Sequence, residues 1–137
     1  MGIQAATARV VGLLSGLRVL IVDDDDDARA LARFVIADAG ADVEEVATAA
    51  EAMRVLRETR PDVMLSDVRM PVEDGYALIR HMRAEGIETP AIALTAYCYP
   101  IERSMALEAG FALHVGKPCP SDVLVTMIRK LADSRPT

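Results

Sequence analysis

The sequence has no tryptophan and only three tyrosines and two phenylalanines among its 137 residues. Together with the lack of a Ser/Thr/Gly-rich phosphate loop, that counts against a flavin binder. It has two cysteines, Cys98 and Cys119, and no CxxC spacing. A disulfide scaffold and a structural zinc site are both excluded, and free thiols in a reducing compartment fit better. No apolar run is long enough to cross a bilayer. The greasiest stretch, VVGLLSGLRVLIV (10–22), is broken by Ser15, two glycines and Arg18, whereas a spanning helix needs about 20 apolar residues. Basic charge is in the minority, with 15 Lys+Arg against 21 Asp+Glu and a net charge of −6. That leaves no basic patch for nucleic acid and suits a metal cation or a basic partner. The N-terminus has no basic region before an apolar core, and Ala6 stands where a myristoylation signal needs Ser or Thr. A cytoplasmic protein that binds neither membrane nor nucleic acid is the expectation.

What is present is material for a core. Hydrophobic residues make up 52% of the chain, and the length suits one domain. Apolar runs of strand length alternate with stretches of helical period. RVLIV (18–22) is short, β-branched and unbroken, as a strand buried on both faces should be. In ALARFVIADAG, Leu31, Phe34, Val35 and Asp38 or Ala39 fall near one helical face, and Gly40 is a natural stop. ADVEEVA (41–47) reads as a more polar strand nearer an edge. Ala49, Ala52, Met53 and Leu56 recur at i, i+3, i+4, i+7, the mark of an amphipathic helix. PDVMLSD is a third strand, and GYALIRHMRAEG puts Gly75, Leu78, Ile79 and Met82 on one helical face. PAIALTA is a fourth strand, followed by a weaker helix in IERSMALEAG. FALHVGKP is a short fifth strand. Ser121 or Asp122 can cap a last helix, where Leu124, Met127, Ile128 and Leu131 repeat the stripe. Strands alternating with helices predict an α/β fold with a parallel sheet covered on both faces. Residues 1–17, with Val10, Leu13, Leu14 and Leu17 at helical spacing, read as a tail, a linker or an extra helix.

The chemistry gathers where strands end. In VLIVDDDDDAR (19–29) an apolar strand runs into five consecutive aspartates. Open parallel sheets bind ligands outside the carboxyl ends of their strands. By the strand assignments, Asp23, Asp24, Asp67, Thr95 and Lys117 all lie at that edge. Three close carboxylates repel and raise one another's pKa, and a hard cation with oxygen ligands relieves this. Mg2+ suits such a site because it keeps several waters and accepts one or two carboxylates plus phosphate oxygens. Asp67 is then placed as a nucleophile for a phosphoryl group, with Thr95 and Lys117 to bind its oxygens. Asp25 to Asp27 read as solvated loop and first-turn residues that suit the positive end of a helix.

The motifs VLIVDD (19–24), LSDVRMPVEDGY (65–76), IALTAY (92–97) and GKP (116–118) follow one another in this chain. In that order and spacing the chain resembles a two-component response-regulator receiver domain over residues 18–132, with 133–137 as a tail. ALTAY and EAGFALHVGKP most resemble receivers attached to hybrid histidine kinases. The resemblance implies a flavodoxin-like doubly wound sheet of strand order 2-1-3-4-5 with helices on both faces. It implies that a histidine kinase or phosphotransfer protein donates a phosphoryl group to Asp67, with Mg2+ held by Asp23, Asp24, Asp67 and the backbone carbonyl of Arg69. Thr95 is then the switch hydroxyl, Lys117 bridges to Asp67 and to phosphate, and the Lys117–Pro118 bond is cis. Arg69 and Tyr97 become tuning residues that govern water access, and the readout runs through the fourth helix, fifth strand and fifth helix. A homodimer would use the last two helices or the N-terminal segment. One departure stands out: His114 occupies the position where many receivers place a switching aromatic.

Other chemistries fit less well. A haloacid-dehalogenase-like phosphatase would need an acid two residues after Asp67, where this chain has Arg69. A pseudo-receiver that never phosphorylates is at odds with a fully occupied set of catalytic positions. The expected activity is therefore that of a signalling module rather than an enzyme acting on a separate substrate.

Overall fold

The computed structural model describes residues 11–96 and 99–134. Among these residues five strands alternate with five helices: β1 (Arg18–Val22), α1 (Asp26–Asp38), β2 (Asp42–Val46), α2 (Ala49–Thr59), β3 (Val63–Ser66), α3 (Gly75–Ala84), β4 (Ala91–Thr95), α4 (Pro100–Ala109), β5 (Leu113–Gly116) and α5 (Ser121–Asp133). The strands are all parallel, in the order β2-β1-β3-β4-β5. The order reverses at β1 and β3, so the crevice for a ligand opens above these two strands and β4.

The unbroken apolar strands serve two cores at once, because successive side chains point to opposite faces. Val19, Ile21, Val63, Leu65 and Ile92 pack with α1 and α5. Leu20, Val22, Met64, Ala91 and Ala93 pack with α2, α3 and the single buried residue of α4, Ala106. The polar strand β2 sits at the sheet edge, as its composition predicts. The stripes of α2 and α3 are buried as their periods predict.

Two local expectations are corrected. On α1 the buried face is Ala32 and Ile36, continued by the adjoining Ala39, with Val35 partly covered. Leu31 and Phe34 point outward, 66% and 70% exposed. The small Ala32 lets the helix lie close to the sheet on a stripe rotated away from the two larger residues. On α5 neither Ser121 nor Asp122 caps: Pro120 holds the N-cap position, with no side-chain cap bond. The stretch before β1 is not a helix within the described residues. Residues 11–16 form successive turns, and Leu14 and Leu17 are buried in the α1–α5 core. The Leu14 N–H donates to the Ala39 carbonyl at 2.9 Å, and Arg129 Nη1 donates to the Leu13 carbonyl at 3.4 Å. Val10 lies outside the described residues.

Candidate functional site

The sheet register brings the polar strand ends together. Val22 pairs with Ser66, Ser66 with Ala93, and Thr95 with Gly116. The chain leaving each strand continues the pairing: Asp67 N–H donates to the Val22 carbonyl at 2.8 Å, and Lys117 N–H to the Thr95 carbonyl at 2.8 Å. Side-chain oxygens of Asp23, Asp24 and Asp67 consequently lie within 4.8 Å of one another. Asp23 is buried, Asp67 half-buried and Asp24 exposed. Hard oxygen donors at this spacing, one of them open to solvent, suit a small divalent cation that keeps part of its water shell.

Lys117 closes the site from β5. Its Nζ donates to Asp23 Oδ2 at 2.8 Å and stands 3.7 Å from Asp67 Oδ2. The closer partner is thus Asp23, whereas the resemblance implies a bridge to Asp67. Burial pulls the Lys117 ammonium down, but the Asp23 hydrogen bond and the charges of Asp67, Asp23 and Asp25 outweigh it and leave its pKa above the ordinary lysine value. Burial raises the Asp67 carboxyl above the usual aspartate value, with the Asp23 charge adding to the rise and Lys117 opposing it. The ionised Asp67 carboxylate is thus held at a cost.

The run of aspartates divides by role. Asp23 Oδ1 accepts from Asp25 N–H at 2.9 Å, which turns the chain out of the strand. Asp25 caps α1, accepting from Asp27 N–H at 2.9 Å and Ala28 N–H at 3.1 Å. Asp26 pairs with Arg29 at 2.6 Å, and Arg29 Nη1 donates to the Asp23 carbonyl at 2.8 Å. Only Asp23 and Asp24 join the cluster.

Thr95 is buried at the end of β4. His114 pairs with Ala93 in the β4–β5 ladder, so Thr95, Ala93 and His114 share the sheet face covered by α2, α3 and α4. The Lys117–Pro118 bond is cis. Tyr97 lies outside the described residues. Arg69 follows the acceptor loop: its N–H donates to Asp67 Oδ1 at 3.3 Å, and its guanidinium pairs with Glu102 of α4 at 2.9 Å.

Three residues at the site escaped the sequence reading or were assigned only to the core. Glu102 also accepts from Tyr76 Oη at 3.1 Å, and burial, with that bond and the Glu102 charge, pushes the Tyr76 hydroxyl up to about 12. Gly75 brings its helix end against the Asp67 loop: its N–H donates to the Val68 carbonyl at 2.8 Å. A Cβ there would stand 2.5 Å from the Asp67 carbonyl oxygen. The DGY triplet at 74–76 carried the signal for Gly75. For Glu102, no local pattern in the sequence points across 33 residues to Arg69.

Fold and pocket define a flavodoxin-like α/β domain with an acidic, lysine-bridged site at the switch point of its sheet. The family model of the response regulator receiver domain matches residues 19–129. The chain belongs to that family, and is a receiver domain of two-component signalling. It is similar to an uncharacterized 14.6 kDa protein of Leptolyngbya boryana, 40% identical over 85% of this chain and 91% of the relative. It also resembles the transcriptional regulatory protein PrrA of Mycobacterium leprae, 35% identical over 89% of this chain but only 52% of that protein. Among solved structures, the receiver domain of a sensor histidine kinase from Pseudomonas aeruginosa superposes with a TM-score of 0.80 and 31% identity. That match covers 88% of this chain and all of the other, which holds a magnesium ion coordinated in its active-site cleft. Among the described residues, no helix is long and apolar enough to cross a membrane.

Proposed function

We propose that Asp67 is the phospho-acceptor of this domain, and that a histidine kinase or phosphotransfer protein is the donor. The observation that carries the reading is the convergence of Asp23, Asp24 and Asp67 within 4.8 Å, with Lys117 at 2.8 Å from one of them and 3.7 Å from another. An Asp67 carboxylate oxygen attacks phosphorus, forming an O–P bond while the N–P bond to the donor imidazole breaks. Asp23, Asp24, Asp67 and the Arg69 carbonyl would hold Mg2+, which when bound offsets the charge of the transferring group. Lys117 turns from Asp23 toward the new phosphoryl oxygens, and Thr95 donates its hydroxyl to one of them. Arg69 and Tyr97 govern the access of water, and with it the rate of autodephosphorylation. Glu102, which holds the Arg69 guanidinium at 2.9 Å, belongs to the same control.

The readout runs through α4, β5 and α5. Its support is loose packing: α4 buries only Ala106, and all four residues of β5 are half-buried. Elements with few buried contacts are the ones that rearrange at low cost. His114, sharing a sheet face with Thr95, takes the place of the switching aromatic and adds a ring N–H that a phenylalanine lacks.

Intact-protein mass after incubation with a small phosphodonor tests this. One added phosphoryl group is expected in wild type with Mg2+, and none with chelator or in Asp67→Asn. An adduct that survives in Asp67→Asn would move the acceptor elsewhere. Rapid donor turnover without an adduct would favour a phosphatase.

A further inference from the structure

The helix at the centre of the expected readout is lightly held. Among the residues of α4 only Ala106 is buried, and its N-cap residue Tyr99 makes no side-chain cap bond. Its first turn nevertheless carries a well-covered acid. The Glu102 side chain is 14% exposed and accepts from Arg69 Nη2 at 2.9 Å and from Tyr76 Oη at 3.1 Å. Tyr76 is a fixed post, buried in the α2–α3 core. Arg69 is not: more than half of its side chain is exposed, and its backbone N–H bonds to Asp67 itself. The ion pair crosses an open groove of about 480 Å3 between the Val68–Met70 loop and Met105. The guanidinium can therefore leave Glu102 without displacing packed atoms.

We propose that the Arg69–Glu102–Tyr76 bonds form a latch that holds α4 in its resting position, and that a phosphoryl group on Asp67 opens it by competing for the Arg69 guanidinium. This rests on Asp67 being the acceptor. A phosphoryl group brings about −1.5 to −2 charges and three strong acceptor oxygens within reach of an arginine two residues away. Arginine favours such oxygens because its planar fork can donate two parallel hydrogen bonds. Once Arg69 turns, the first turn of α4 loses its charged tether to the Asp67 loop, and a helix with one buried residue is released to shift. Glu102 and Tyr76 thus act as positioning residues for Arg69, and neither of them needs to touch the reacting atoms.

Coupling of this kind is reciprocal. A protein whose latch is already broken should bind a phosphoryl mimic more tightly, because the mimic no longer has to break it. Calorimetric titration with beryllium fluoride in excess Mg2+ provides the test. Glu102→Gln is expected to bind about 5-fold more tightly than wild type, the lower range of typical allosteric coupling. In an Arg69→Ala background the same substitution is expected to change affinity by less than about twofold, the limit of ordinary additivity. Amide exchange across 100–109 should be fast in unliganded Glu102→Gln, but fast in wild type only after beryllium fluoride is added. If Glu102→Gln fails to fold, Tyr76→Phe replaces it and is held to the same direction of shift. Equal affinities in wild type and variant, or a full effect that persists without Arg69, would overturn the latch while leaving the receiver reading intact. A wild-type protein that binds no beryllium fluoride and takes no phosphoryl group would overturn both.

Discussion

A single methyl group at position 75 should disable the site without changing any charge. Gly75 opens α3, whose N-cap Asp74 accepts from Ala77 N–H at 2.9 Å. By helix propensity alone, alanine at this position would be favourable by about 1 kcal/mol. The packing opposes it. The added Cβ would stand 2.5 Å from the Asp67 carbonyl oxygen and 2.9 Å from Val68 Cα, both backbone atoms with no flexible end to move. Reaching ordinary contact at 3.4 Å requires the loop to retreat by about 0.9 Å. Overpacking of this kind costs about 1–3 kcal/mol, so a net loss of about 1 kcal/mol should appear in urea unfolding. The functional loss should be larger. Asp67 is the residue that moves, and a misplacement near 1 Å costs on the order of 100-fold in rate. Time-resolved mass spectrometry with a small phosphodonor measures it. Gly86→Ala is the control. It lies past the far end of α3, at φ +79 with nothing within 4 Å of an added Cβ, so strain should cost about 1 kcal/mol and leave the phosphorylation rate alone. If Gly75→Ala is phosphorylated at the wild-type rate, the α3 contact does not position Asp67 and the reasoning fails. If Gly86→Ala slows as much, the effect is general loss of stability.

Replacing Lys117 by methionine leaves Asp23, which is 5% exposed, without its 2.8 Å partner. Breaking a buried pair costs about 3–5 kcal/mol, and the partial exposure of Lys117 reduces this to about 2 kcal/mol; thermal unfolding in chelator should show it, with partial recovery in Mg2+, and an unchanged Tm in chelator would refute it. Asp67→Asn should raise the Tm of metal-free protein at neutral pH. Burial lifts the folded-state pKa of Asp67 above its ordinary 3.8, so the folded protein binds that proton more tightly than the unfolded chain. The ionised carboxylate therefore costs stability above the folded pKa, and the cost fades as pH falls from there toward 3.8. The advantage of Asn should shrink over that interval, and a Tm below wild type at neutral pH would contradict the account. Thr48 caps α2 by accepting from Glu51 N–H at 3.2 Å, so Thr48→Ala should lower stability by about 1 kcal/mol in urea unfolding and leave phosphorylation untouched; a neutral result would show that the cap adds nothing in this context.

What the amino-acid order determined by itself was the alternation of elements and the chemistry of the strand ends. Val19–Val22 and Val63–Leu65 must be buried on both faces because no polar residue interrupts them, and only helices on both sides of a parallel sheet provide that. Polar residues confined to the carboxyl ends of such strands, Asp23, Asp67, Thr95 and Lys117, have no packing explanation, so the site was legible once the strands were. The tertiary structure decided what depends on non-local approach. Which face of α1 is buried followed from how closely Ala32 lets the helix sit on the sheet, and it left Leu31 and Phe34 outside against the pattern of their own size. Lys117 stands closer to Asp23, at 2.8 Å, than to Asp67, at 3.7 Å, a difference set by the three-dimensional placement of the strand ends. The tether between Arg69 and Glu102 joins residues 33 positions apart in the chain. Local periodicity carries only neighbours three or four residues away, so long-range pairs of this kind become visible only when the sheet has set the distances.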